Sequence, residues 1–164
     1  MNADYFRSLF DYSYWANHKL LACVAVLTDE QYHHRFDYAM ESVHGTLAHM
    51  MAAEDLWLAR LQGVSPRSLP PESAFTRQHL PATWASVEAK WRAYLANLSD
   101  AAVGQKVVYH RTNGEPRERY LWEILGHVAN HGTDHRAQTL FMLKQLGAPT
   151  FEQDALIYFQ EKNS

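Results

Sequence analysis

A single cysteine, Cys23, is all that the 164 residues contain, so no intramolecular disulfide can form and no CxxC metal or redox pair exists. It lies among Leu21, Val24 and Val26 and reads as inert packing. Charge of one sign is also scarce. Fifteen lysines and arginines against 18 aspartates and glutamates leave a formal net charge of −3, which offers no basic field for a phosphate backbone and disfavours nucleic-acid binding. No stretch approaches the roughly 18 consecutive apolar residues needed to span a bilayer, which argues against a membrane. Asp4 stands where a secretory leader requires basic residues and Asp11 interrupts the next apolar segment, so the expected location is cytoplasmic. No repeat or low-complexity segment is visible.

What is present fits an ordinary globule. With 47% hydrophobic and 20% charged residues, residues 1–164 read as one domain able to bury its own core. From Asp4 to Leu27 the apolar positions Phe6, Leu9, Ala16, Leu20, Val24 and Leu27 recur at three and four, the period of an amphipathic helix. Thr28 with Gln31 three residues on has the form of a capping box. Ser42 can cap a second long helix that Gly63 ends near Gln62. Val64 to Leu80, with Pro66, Pro70 and Pro71, is a crossover long enough to let the third helix, Pro81 to Leu98, run parallel to the second. Ser99 and Gly104 then break the chain. Thr112-Asn113-Gly114 is a hairpin signal between Lys106–Tyr109 and Glu115–Arg119, with Pro116 shortening the second strand. A last helix covers Tyr120 to Leu146, with Gly147 just past its end. The expected fold is all-α, a four-helix bundle with a short β-hairpin inserted before the last long helix.

That last helix carries His127, His131 and His135. A step of four residues turns about 40°, so the three imidazoles form one row. Ile124, Val128 and Met142 share the face, which points the row inward. His127 and His135 are about 12 Å apart along the axis, too far to share an ion bonded at about 2.0–2.1 Å. Only His127 with His131, or His131 with His135, can chelate, and a third ligand must come from another helix. The H-E-x-x-H signature of zinc proteases is absent, because Gly132 occupies its glutamate position.

The second helix offers His44 and His49, about 140° apart on the wheel. Leu47, Met51 and Leu58 flank one, and Ala52, Ala53 and Leu56 the other, so spacing does not choose. Glu41-Ser42-Val43-His44 has the Glu-x-x-His form of di-iron bundles, but the positions three before His127, His131 and His135 are Ile124, Val128 and Gly132, and the second copy such a site needs is missing.

Tyr14-Trp15-Ala16-Asn17, Thr46-Leu47-Ala48-His49 with Trp57-Leu58-Ala59-Arg60, and His127 through Gln138 together resemble the DinB/YfiT-like metalloenzyme family over nearly the whole chain. The resemblance implies that His49, His131 and His135 bind a divalent metal inside an up-down-down-up bundle, commonly dimeric, with His127 a neighbouring supporting histidine. The chain departs from that pattern at Asp134, where the family often has an aromatic or basic residue, and at Ala137, often glycine.

Three neutral imidazoles would leave a tetrahedral ion one open position, as in catalytic sites. Zinc and nickel are the expected metals, although cobalt and copper also accept imidazole. Characterised members of the wider superfamily use low-molecular-weight thiols, so the resemblance implies S-transfer from such a thiol onto a small-molecule electrophile. A metal-dependent hydrolase, or a non-catalytic stress-associated protein that binds a metal or ligand, are the alternatives. Asn17, polar on the buried stripe of Leu20 and Val24, must find a partner, either by tying helices together or by supporting the site. Glu54 and Asp134 are the nearest approach to general bases and read as solvated or structural. The five tryptophans read as packing. Trp122, Leu125, Leu140 and Leu143 on another flank of the last helix suit a helix-to-helix homodimer.

Overall fold

Local capping chemistry sets where the helices begin. The structure, a computed structural model, describes residues 1–38 and 40–163. The Asn2 side chain accepts the Tyr5 N–H and opens α1 (Ala3–Ala25). Thr28 and Gln31 exchange the two hydrogen bonds of a capping box around the short α2 (Asp29–His33). The Ser42 hydroxyl accepts the Gly45 N–H at the head of α3 (Val43–Leu61), and Gly63, at φ 84°, turns the chain away from its end. A single 3-10 turn (Glu72–Ala74) interrupts the proline-rich crossover. Helix α4 (Leu80–Ala96) follows with Pro81 in its first turn, where a missing N–H costs nothing.

Ser99 does more than break the chain. Its hydroxyl caps a four-residue helix, α5 (Asp100–Val103). Strands β1 (Lys106–His110) and β2 (Pro116–Tyr120) pair antiparallel, with Lys106 opposite Tyr120 and His110 opposite Pro116. Pro116 therefore sits at the turn end of the ladder, and Gly114, at φ 90°, makes the reversal. Helix α6 (Leu121–Gln145) starts with the Glu123 carboxylate accepting the Tyr120 N–H and ends before Gly147 at φ 69°. A further helix absent from the sequence reading, α7 (Ala155–Lys162), is capped by Asp154.

The chain is thus mainly helical with one small hairpin, and α1 and α3 each pack against both α4 and α6. The core between them holds Phe6, Phe10, Tyr14, Leu20, Trp84, Trp91, Leu125 and Met142. Helix α7 closes a smaller apolar cluster in which Tyr158 meets Tyr12 and Trp15. Among the described residues no helix is long and apolar enough to cross a membrane. The flank of α6 read as a dimer surface is split. Leu125 and Leu143 are buried within the chain itself and Leu140 is partly buried, leaving Trp122 exposed.

Candidate metal centre

Helix α6 presents its histidine row across a gradient of exposure. His127 is exposed, His131 half-buried and His135 buried, so the inward orientation expected of the whole row holds toward its C-terminal end and fails at His127. Opposite, α3 brings His49 up to the same place. Ring centroids lie 4.3 Å apart for His131 and His135, 4.8 Å for His49 and His135, and 5.1 Å for His49 and His131. The ligand nitrogens of His49, His131 and His135 all fall within 4.8 Å of one another. The Nε2 atoms of His49 and His131 face each other at 3.1 Å, close to the roughly 3.3 Å that two donors adopt on a tetrahedral ion with bonds of about 2.0–2.1 Å.

Electrostatics keeps His49 and His131 uncharged. Burial first, then the positive charge that His135, His49 and His127 would carry, pushes the His131 imidazole down to about 3. His49 is lowered by burial and by His135. Neutral imidazoles keep their lone pairs, the form a divalent metal requires. One ring is also fixed in orientation. Nδ1 of His135 lies 2.8 Å from Oε1 of Gln138, whose Nε2 donates to Asp134 Oδ2 at 3.0 Å. The amide is held this way round because reversal would set its oxygen against the Asp134 carboxylate. His135 therefore carries its proton on Nδ1 and leaves Nε2 free for a metal. Asp134 thereby acts through Gln138 rather than as a base, a role that the sequence reading did not give it.

The other candidates separate from the three. His44 turns away, its Nε2 2.7 Å from the Phe75 carbonyl and its ring beside Tyr32 and His33. His127 packs its ring on Trp57 at 5.3 Å and stands 5.8 Å from the His131 ring, outside the ligand group. Asn17 ties three helices together. Its Nδ2 reaches Glu54 Oε1 at 3.4 Å, and its Oδ1 accepts from Arg136 Nη1 at 3.0 Å. Glu54 is buried rather than solvated, and it accepts from Trp84 Nε1 at 3.0 Å. Burial raises its carboxyl to about 7 against the lowering pull of the Trp84 hydrogen bond, Arg136 and Asn17. Cys23 sits partly buried against the core, its thiol pushed up by burial, as expected of a packing residue.

Comparison with known proteins extends over nearly the whole chain. A family model described as the DinB family matches residues 1–163. Protein DinB of Bacillus subtilis (strain 168) is similar at 23% identity over 165 residues, covering 95% of this chain and 94% of that protein.

Proposed function

The chain belongs to the DinB family, and on that premise we propose that it is a divalent-metal-dependent enzyme that activates a low-molecular-weight thiol for transfer onto an electrophilic small molecule. The observation that carries this reading is the convergence of three imidazoles, His49, His131 and His135, with no carboxylate or thiolate in the group. Three ligands leave one position of a tetrahedral ion for a fourth, and imidazole donors suit zinc or nickel. When bound, such an ion supplies an undiminished divalent charge that lowers the pKa of a thiol and makes its sulfur nucleophilic at neutral pH.

The chain's own part is positioning. Burial keeps the His49 and His131 imidazoles neutral, Gln138 fixes the His135 ring, and the half-buried edge of His49 and His131 leaves a path by which a small molecule arrives. Cobalt-substituted protein is expected to change its visible spectrum when 2-mercaptoethanol is added, and to speed the loss of 1-chloro-2,4-dinitrobenzene only when the thiol is present. Full cobalt occupancy with an unchanged spectrum overturns the reading.

The same reading takes the four long helices as an up-down-down-up bundle and the working unit as a homodimer. Partial burial of the α6 flank reduces the dimer surface to Trp122 and part of Leu140. Light scattering at micromolar concentration is expected to give the mass of two chains. A monomer mass throughout that range removes the dimer without touching the metal centre.

A further inference from the structure

The hairpin loop Thr112-Asn113-Gly114 brings together groups that the metal centre does not use. Among Asn2, Asn17, Asn97, Asn113, Asn130 and Asn163, only Asn113 precedes a glycine. The backbone nitrogen of a following residue can attack an asparagine side-chain amide, and glycine opposes that attack least because it carries no Cβ.

The turn sets the reacting groups in place. Asn113 is exposed. Its Oδ1 accepts the Glu115 N–H at 3.1 Å, so a donor already points at the oxygen on which negative charge collects when the amide carbon is attacked. Gly114 supplies the nitrogen. Its N–H donates to the Arg111 carbonyl at 2.8 Å, and the Arg111 N–H donates to the Glu115 carbonyl at 2.8 Å, which closes the loop on both sides. The bond from Gly114 lies in the plane of its peptide, whereas the attacking orbital stands perpendicular to it, so the nitrogen is held but not blocked.

A cation from the crossover stands on the same glycine. Gly114 has φ 90°, and a Cβ built there would collide with Arg67 Nη1 and fall 3.4 Å from its Cζ. The Ser65 hydroxyl accepts the His110 N–H at 3.0 Å and pins this part of the crossover to the hairpin. Arg111 and Arg117 share the Glu115 carboxylate, but among the described residues Arg67 makes no ion pair. A guanidinium against Gly114 favours both the loss of its amide proton and the oxyanion that follows.

We propose that Asn113 is a self-modification site, which deamidates in the folded protein with help from the Glu115 N–H and the Arg67 guanidinium. Gly114 N gives up its proton and bonds to Asn113 Cγ. The Cγ–Nδ2 bond then breaks, and ammonia leaves with that proton. Water adds to either carbonyl of the resulting succinimide and opens it to aspartate or isoaspartate. Water is the only co-reactant. The new carboxylate arises one residue from Arg67, giving that cation a counter-charge and tying crossover to hairpin. This site is independent of the metal centre, and neither reading falls with the other.

The test is peptide mapping of protein held at neutral pH, in which the tryptic peptide 112–117 is read for amide-to-acid conversion and for isoaspartate. In the folded protein Asn113 is expected to convert ahead of every other asparagine. Arg67→Gln is expected to slow it several-fold, and Arg67→Lys, which retains the charge, to keep part of the rate. In urea the wild-type and Arg67→Gln chains should convert alike. An Asn113 that outlasts the other asparagines in the folded protein overturns the proposal, and that comparison needs no variant. A folded-state rate unchanged by Arg67→Gln, or a slowing equally large in urea, overturns it as well, because the turn would then contribute nothing.

Discussion

The wild-type protein is expected to hold about one divalent ion per chain, and His131→Ala to abolish that stoichiometric binding. The His131 Nε2 lies 3.1 Å from that of His49 and its ring 4.3 Å from that of His135, so its loss leaves two imidazoles where the site has three. His49→Ala and His135→Ala should do the same. His127→Ala should keep full stoichiometry at reduced affinity, because its ring contacts Trp57 and His131 but stays outside the ligand group. Gln138→Leu should weaken binding about 10–100-fold by freeing the His135 ring. Elemental analysis and competition with a chelator measure each. Full occupancy in His131→Ala would end the assignment.

The pH dependence has a definite sign. With folded-state imidazoles held below their usual 6.5, and His131 near 3, protons compete with the metal only at more acid pH than for a free imidazole. The histidines' contribution to the stability of the metal-free fold should also be lost as pH falls from about 6.5 toward 3, because the unfolded chain takes up a proton that the folded site refuses, while Glu54 acts in the opposite direction above about 4.5.

The row on α6 could be read from the chain because a step of four is a property of any helix, and its limit of two ligands per ion follows from rise alone. Whether His44 or His49 faced that row could not be read, because α3 is buried nearly all round and its rotation is decided by packing rather than by an apolar stripe. The small side chains of Ala48, Ala52 and Ala53 near His49 were the one available sign of close approach. Gln138 was readable in principle: it stands three residues after His135 and four after Asp134, the spacings at which helical neighbours meet. Helices α5 and α7 escaped because four and eight residues are too short to show a period, although Ser99 and Asp154 both had the side chains of helix caps.

The buried carboxyl of Glu54 gives the second large effect, and here the sign is opposite to that of the histidines. Its folded-state pKa is raised to about 7 by burial, so between roughly 4.5 and 7 the folded chain keeps a proton that the unfolded chain releases. Wild-type stability therefore falls across that window on account of this group, by an amount on the order of 3 kcal/mol. Glu54→Gln cannot ionise, and its stability relative to wild type should rise by that amount from pH 4.5 to pH 7. The difference between the two proteins in urea unfolding isolates Glu54, since the histidine contribution is common to both. A difference that stays flat with pH would show that the carboxyl titrates normally. Asn17→Leu probes the same network from its centre. It removes the acceptor of Arg136 Nη1 and the amide that bridges this arginine to Glu54, leaving two buried ionisable groups without their shared partner. The expected loss is about 3–5 kcal/mol, the scale for breaking a buried charged network by deleting one member. A loss below about 1 kcal/mol, the scale of an exposed ion pair, would mean that the bridge is rebuilt by water or by Gln153, which already accepts from Arg136 Nε at 3.1 Å.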